Sequence, residues 1–95
     1  MEQEKSKEEI LAKFEKKDDK YIYKLKESVK FGEETILEFS LFTPKAKHIR
    51  DMPSKPKMSD ILDIIGKLSA QPKVVIDNLA IEDVNALAEY FSAFN

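Results

Sequence analysis

The chain has 95 residues, of which 42% are apolar and 36% are charged, with a net charge of −2 and no cysteine. These values describe one small globular domain, and they exclude disulfides, thiolate catalysis and thiolate-bound metal centres. No apolar run approaches the roughly 20 residues that span a bilayer, and residues 1–5 lack the apolar core of a signal peptide. We therefore expect a cytosolic protein with no membrane partner.

Residues 1–20 are predicted to be an N-terminal extension of a domain that occupies 21–95. Ser6 and Glu9 have the spacing of a capping box ahead of Ile10, Leu11 and Phe14. Three apolar residues are too few for a stable isolated helix. A solvated, partly frayed leader is therefore favoured, and the alternative is a docking helix that orders on binding.

An antiparallel hairpin follows the extension. Tyr21, Tyr23 and Leu25 alternate with polar residues, and a second alternating run covers residues 35–42. Gly32 between the two runs can adopt the positive φ that a tight turn requires. The alternation predicts that three residues of the second strand share one buried face, namely Leu37, Phe39 and Leu41.

Three or four helices are predicted after the hairpin. Thr43 and Pro44 favour the start of a short helix that ends near Asp51, and the prolines at 53 and 56 indicate a loop. Ser59 is the predicted cap of a second helix, which carries apolar residues at helical spacing from Ile61 to Leu68. Together with the hairpin, these helices predict an α+β fold in which the last helix is central.

Two details of the later helices bear on the site. Gly66 weakens its helix by about 1 kcal/mol relative to alanine, which predicts close packing at that position. The run from Val74 to Ile76 is typical of a strand, but Pro72 before it and Asp77 after it slightly favour one helical turn. Glu82 and Asp83 are placed in the first turn of the last helix, where carboxylates interact favourably with the helix dipole.

In this order, the segments "YKLKESVKFGEETILEFSLFTPKAKHIRDM", "GKLSAQP" and "VIDNLAIEDVNALAEYFSAF" resemble the tail assembly chaperone family of contractile-tailed, Mu-like bacteriophages. The likeness covers about residues 21 to 95 and depends on order and spacing, because the family motif has no catalytic signature. Ser28, Glu33 and Ala80 depart from it. The matching positions are Leu25, Val29, Phe31, Gly32, Ile36, Phe39, Leu41, Pro44, Pro72, Ile76, Leu79 and Asp83.

The resemblance implies a protein that is not an enzyme and that shields the tape measure protein in the bacterial cytosol during tail assembly. It implies absence from the mature virion, and a longer product made by ribosomal frameshifting in many members. The tail tube protein and a second copy of the chain are further candidate partners. The resemblance also favours a helix over residues 73–77.

No cofactor, metal or catalytic site is predicted. His48 is the only histidine and is best interpreted as a surface residue. The carboxylate pairs at 60 and 63 and at 82 and 83 are best explained by helix capping and dipole effects. Three aromatic residues in the last six exceed what one small helix face buries, so Phe94 and Tyr90 are predicted to contact a partner.

Charge is distributed unevenly along the chain. Residues 43–58 carry five basic residues and one aspartate, a net charge of +4, whereas 59–95 carry six carboxylates and two lysines, a net charge of −4. Three of the basic residues are predicted to orient a partner: Lys45, Lys47 and Arg50. A small nucleic-acid-binding regulator is the competing hypothesis, but no helix has the Arg, Asn and Gln content of a recognition helix. A generic protein-interaction module is the remaining alternative.

Overall fold

The computed structural model describes residues 7–50 and 52–94, which form one α+β domain. The chain begins with helix α1 (Lys7–Leu11) and strand β1 (Glu15–Lys17), and strands β2 (Lys20–Phe31) and β3 (Glu34–Phe42) follow. Helices α2 (Ala46–Ile49), α3 (Met58–Ser69), α4 (Lys73–Asp77) and α5 (Ile81–Ser92) complete the fold. The predicted α+β class is confirmed, with a third strand added to the predicted hairpin.

The sheet is antiparallel in the order β1-β2-β3, so that β2 is central. The turn between β2 and β3 has Gly32 at φ 65°, as predicted. A second tight turn joins β1 to β2 through Asp18, a non-glycine residue at φ 57°. Helices α3, α4 and α5 contact one face of the sheet, and polar residues occupy much of the opposite face, including Lys24, Glu38 and Ser40.

An irregular stretch with several extra residues, which we call the bulge, interrupts β2. Lys24 pairs with Glu38 and Val29 pairs with Ile36, so residues 25–28 stand opposite the single residue Leu37. Beyond the bulge, Val29 is buried and Ile36 packs partly against the core, whereas Leu37 is 65% exposed. The prediction that Leu37 shares the buried face of Phe39 and Leu41 is therefore wrong. The extra residues in β2 change the local twist, which simple alternation along β3 does not reveal.

Residues 7–20 are part of the folded domain and contribute two side chains to its core. Ile10 and Phe14 are buried, and the ring centroid of Phe14 lies 5.2 Å from that of Tyr23 and 4.9 Å from that of Tyr90. β1 adds hydrogen bonds along the start of β2. The segment is therefore part of the folded domain. The prediction of a solvated leader, which its composition favoured, is wrong. Ser6 of the predicted capping box lies outside the described residues.

The helix boundaries match the predictions with small shifts. α2 starts at Ala46, two residues after Pro44, and the position of its predicted end at Asp51 lies outside the described residues. α3 starts at Met58, where the Lys57 N–H donates to Asp60 Oδ2 at 2.8 Å. The predicted cap, Ser59, is therefore wrong, because it lies inside the helix. The run around Val75 forms helix α4, which confirms the helical interpretation. Ala80 precedes α5 and makes no side-chain capping bond.

Candidate partner-binding surfaces

Tyr90 lies in the core. Its side chain is 1% exposed, and its hydroxyl donates to the Phe42 carbonyl oxygen at 3.0 Å. The ring of Phe14, in the N-terminal segment, packs against the ring of Tyr90. Burial raises the pKa of the Tyr90 hydroxyl above its usual range, and the charge of Tyr21 makes a smaller contribution. The prediction that Tyr90 contacts a partner is therefore wrong, because the N-terminal segment supplies the covering surface that was expected from another protein.

Phe94 is the partly exposed end of the same aromatic cluster. Its ring centroid lies 5.2 Å from that of Tyr90 and 6.2 Å from that of Tyr21, both in edge-on orientation. Lys7 Nζ lies 4.5 Å from the ring centroid, in cation–π geometry. A partner contact through Phe94 stays a prediction, and part of this ring is already covered by its own chain.

The basic residues Lys45, Lys47 and Arg50 are exposed, and they flank or belong to α2. The Lys45 N–H donates to His48 Nδ1 at 2.9 Å, so this imidazole holds the start of the helix. Burial lowers the pKa of His48, and the charges of Lys47, Lys67 and Lys45 lower it further. At four residues, α2 is only about 6 Å long, which is too short for a recognition helix in a DNA groove.

Asp83 forms the centre of what we call the Asp83 corner, which consists of Tyr23, Lys26, Glu27 and Asp83. The carboxylate is 0% exposed. Oδ1 accepts hydrogen bonds from the Tyr23 hydroxyl at 2.7 Å and the Lys26 N–H at 3.0 Å, and Oδ2 accepts one from the Glu27 N–H at 3.3 Å. One side chain of α5 thus satisfies two backbone amides that the bulge of β2 leaves without a ladder partner.

The Asp83 corner is structural in character. Burial raises the pKa of the Tyr23 hydroxyl above its usual range, and the hydrogen bond to Asp83 and the charges of Asp83 and Glu82 raise it further. Among the described residues, every buried side-chain nitrogen and oxygen has a hydrogen-bond partner. The sequence predicted only a dipole role for Asp83, because the bulge that it satisfies lies 56 residues earlier.

A groove between α3 and α4, which we call the α3–α4 groove, has a volume of about 220 Å³. Lys73 Nζ forms an ion pair with Asp77 Oδ2 at 2.9 Å on its α4 side. The hydrogen bond to Asp77 and the charge of that carboxylate raise the pKa of Lys73. The groove is lined by Leu62, Asp63, Gly66, Lys67, Gln71, Lys73, Ile76 and Asp77.

Gly66 lies in this groove, and its packing differs from the prediction. A Cβ atom at this position would lie 3.5 Å from the Gln71 carbonyl oxygen and 3.6 Å from Ile76 Cγ1. Both distances are ordinary van der Waals contacts, so the fold would accept a methyl group at residue 66. The prediction that close packing requires glycine here is therefore wrong, since a Cβ would make ordinary contacts with both neighbours.

Several large apolar side chains are exposed at separate places in the fold, on strands and helices. Val74 is 50% exposed on α4, and Ile81 is 73% exposed at the start of α5. Single exposed apolar side chains are common in soluble proteins, so neither of these two residues indicates an interaction site by itself. The other exposed members are Phe31, Leu37, Phe42, Ile49 and Met58.

In the parts of the chain that the structure describes, no group of three His, Cys, Asp or Glu side chains is placed to hold a metal ion. None of the helices in those parts has the length and apolarity that crossing a bilayer requires. No family model, curated protein or solved structure matches the chain. The inference of function therefore depends on the residues and their geometry.

Proposed function

We propose that this chain is a non-enzymatic assembly chaperone that binds and shields the tape measure protein of a contractile-tailed bacteriophage or prophage in the host cytosol. The observation that carries the proposal is the position of the motif residues that resemble the tail assembly chaperone family. Most of them occupy positions that determine this fold. Six of the motif residues are buried: Val29, Phe39, Leu41, Ile76, Leu79 and Asp83.

Two motif residues explain why order and spacing matter in such a pattern. Gly32 has φ 65° in the hairpin turn, which only glycine adopts at little cost. Asp83 joins the last helix to the bulge of β2 through hydrogen bonds that require an acidic or amide side chain at that position. At these two positions the residue type follows from the geometry of the fold.

Shielding is a physical task that a small domain of this kind can perform. A tape measure protein is a long helical chain whose apolar stripes would aggregate before tail tube subunits enclose it. A folded domain with exposed apolar side chains between helices can cover such a stripe by helix-in-groove contact. Exposed residues such as Val74 and Ile81 supply apolar surface for this contact.

The test is co-expression with the tape measure protein encoded near this chain, followed by size-exclusion chromatography with light scattering. We expect a soluble complex with many copies of the chain per tape measure protein, which otherwise precipitates. The tail tube protein serves as a second bait. Precipitation of the tape measure protein while this chain elutes alone, both with and without any longer frameshifted form, would overturn the proposal.

A further inference from the structure

We propose that the outer edge of β3 pairs with β3 of a second copy of the chain, in an antiparallel arrangement with a two-fold axis at Leu37. The inference goes beyond the proposed function, because it concerns this chain alone and requires no tape measure protein. It follows from three observations: the free backbone along β3, the protection of the opposite edge of the sheet, and the positions of the charges in β3.

β3 forms one edge of the sheet, and its outer side carries backbone groups without partners. The strand pairs with β2 on one side only. Within the described parts of the chain, no other element forms a hydrogen bond to the backbone of residues 34–41. The Phe42 carbonyl oxygen accepts a hydrogen bond from the Tyr90 hydroxyl, so the free edge ends before it. A row of free N–H and C=O groups binds another extended backbone, instead of a helix or a small ligand.

The sequence of β3 lacks the residues that usually protect an edge strand. Proteins prevent pairing at the edges of sheets with lysines, with prolines or with very short strands. β3 is nine residues long and contains no lysine, proline or glycine. Its apolar residue Leu37 is exposed. The strand therefore has both the length and the composition that pairing with another strand requires.

The opposite edge of the sheet is protected in three ways. β1 has only three residues, and two of them are lysines. Beyond β1 this edge passes to β2, where the Lys26 and Glu27 amides of the bulge donate to Asp83. A strand that approached this side would find few free backbone groups. Because only one edge of the sheet is open, association ends at two copies, which is the closed two-fold symmetry of most homodimers.

The charges along β3 select the register of the pair. In a two-fold antiparallel pair, the residue at the axis lies opposite its own copy, and residues equally distant from the axis lie opposite each other. An axis at Glu38 would oppose two glutamates, which is destabilising. With the axis at Leu37, Glu38 lies opposite Ile36 of the second copy. Glu34 then lies opposite Ser40, so no glutamate opposes another, and the two exposed Leu37 side chains meet at the axis.

The size of this interface indicates a weak dimer. One pair of strands belongs to the small interfaces, which bury less than about 1,200 Å². The net charge of −2 on each chain gives little long-range repulsion between copies. We therefore expect a monomer at low micromolar concentration and a dimer as the concentration approaches about 1 mM.

Sedimentation equilibrium at protein concentrations from about 10 µM to about 1 mM tests the association. The average mass should rise from 11.0 kDa toward twice that value. Amide hydrogen exchange at both ends of this range tests the location. Protection of residues 34–41 should increase with concentration, whereas protection of α3 and α5 should not change. A mass that stays at 11.0 kDa, or an increase in protection that excludes β3, would overturn the inference.

Leu37→Lys tests the register, because it places two lysines opposite each other at the axis. The dissociation constant of the dimer should rise at least about tenfold. Because this side chain is exposed, urea denaturation of the dilute, monomeric chain should match that of the wild type. A variant that dimerises as the wild type does would show that β3 pairs in another register or not at all.

Val74→Lys is the matched control, because it makes the same change at an exposed apolar residue of α4, away from the sheet edge. It should dimerise as the wild type does, and equal losses in both variants would mean that added charge, not the edge of β3, controls association. The complex with the tape measure protein is a separate measurement. Its absence would overturn the proposed function and leave the pairing of β3 standing.

Discussion

The Asp83 corner and the α3–α4 groove differ in how their charged groups are enclosed: Asp83 is buried, whereas the charged side chains of the groove are exposed. At the corner, one buried carboxylate accepts hydrogen bonds from a tyrosine and two backbone amides. At the groove, a glycine and four charged side chains surround an opening that the fold could have filled. The difference is between a carboxylate whose hydrogen bonds join two distant segments of the fold and charged side chains that lie at the surface.

Asp83→Ala should produce the largest loss, because it removes a buried carboxylate and leaves its donors without partners. We expect the free energy of unfolding to fall by about 3–5 kcal/mol, measured by urea denaturation. Glu82→Ala is the control, since its carboxylate is exposed and pairs with Lys26 at the surface. It should change stability by no more than about 0.5 kcal/mol. Equal effects of the two variants would contradict the structural role of Asp83.

Alkaline pH should lower the free energy of unfolding, because Tyr23 in the Asp83 corner and Tyr90 in the aromatic core lose their hydroxyl protons. Both hydroxyls have a pKa raised above their usual range, so the folded state holds these protons more tightly than the unfolded state. Their stabilisation is complete below the unfolded pKa of about 10 and declines as pH rises above it. Urea denaturation between pH 8 and 11 should show this decline, and a flat profile would contradict it.

Tyr23→Phe sharpens this pH prediction. The variant should lose about 1.5 kcal/mol at neutral pH, since one hydrogen bond to a buried carboxylate is removed. Its stability should then decline less steeply with rising pH than that of the wild type, because one of the two titrating hydroxyls is absent. A profile parallel to that of the wild type would show that Tyr23 does not contribute to the alkaline loss.

The two glycines should respond to alanine in opposite directions. Gly32→Ala places a side chain at φ 65° and should cost about 1 kcal/mol. Gly66→Ala should add about 0.5–1 kcal/mol of stability. Thermal and urea unfolding of the two variants measure the contrast directly. A loss of stability at residue 66 would mean that the groove has less room than its contact distances indicate.

Leu37→Thr should have the smallest effect, even though the residue continues the apolar alternation of β3. Because the side chain is 65% exposed, we expect a change within about 0.5 kcal/mol. Phe39→Ala on the same strand should cost about 3–5 kcal/mol, since that ring is fully buried. Comparable losses at the two positions would place Leu37 in the core.

Local sequence signals predicted the elements that depend on local interactions. The hairpin turn at Gly32, the helices α3 and α5, and the helical turn around Val75 all follow from spacing, glycine and proline. The errors concern contacts between distant segments. The bulge of β2 exposes Leu37, and Phe14 from the N-terminal segment buries Tyr90. Neither contact leaves a periodic pattern in the sequence, because each depends on which segments meet after folding.

The features of the candidate surfaces also depend on contacts between distant segments, so the sequence revealed them only in part. Gly66 stood out in the sequence as an unfavourable helix residue, but composition could not show whether a neighbour fills its space. The charges of Lys73 and Asp77 gained meaning only when α4 was placed beside α3. Asp83 was interpreted by its position in a first turn, whereas its function depends on amides from a strand near the other end of the chain.

The contact of Phe14 with Tyr90 has a consequence for the timing of folding during synthesis. Phe14 is synthesised more than 60 residues before α5, the helix that carries its partner Tyr90. The aromatic core therefore cannot close before α5 has emerged from the ribosome. Non-local closure of this kind is slow compared with helix formation, so the domain completes its fold only after the ribosome has translated nearly all of its described residues.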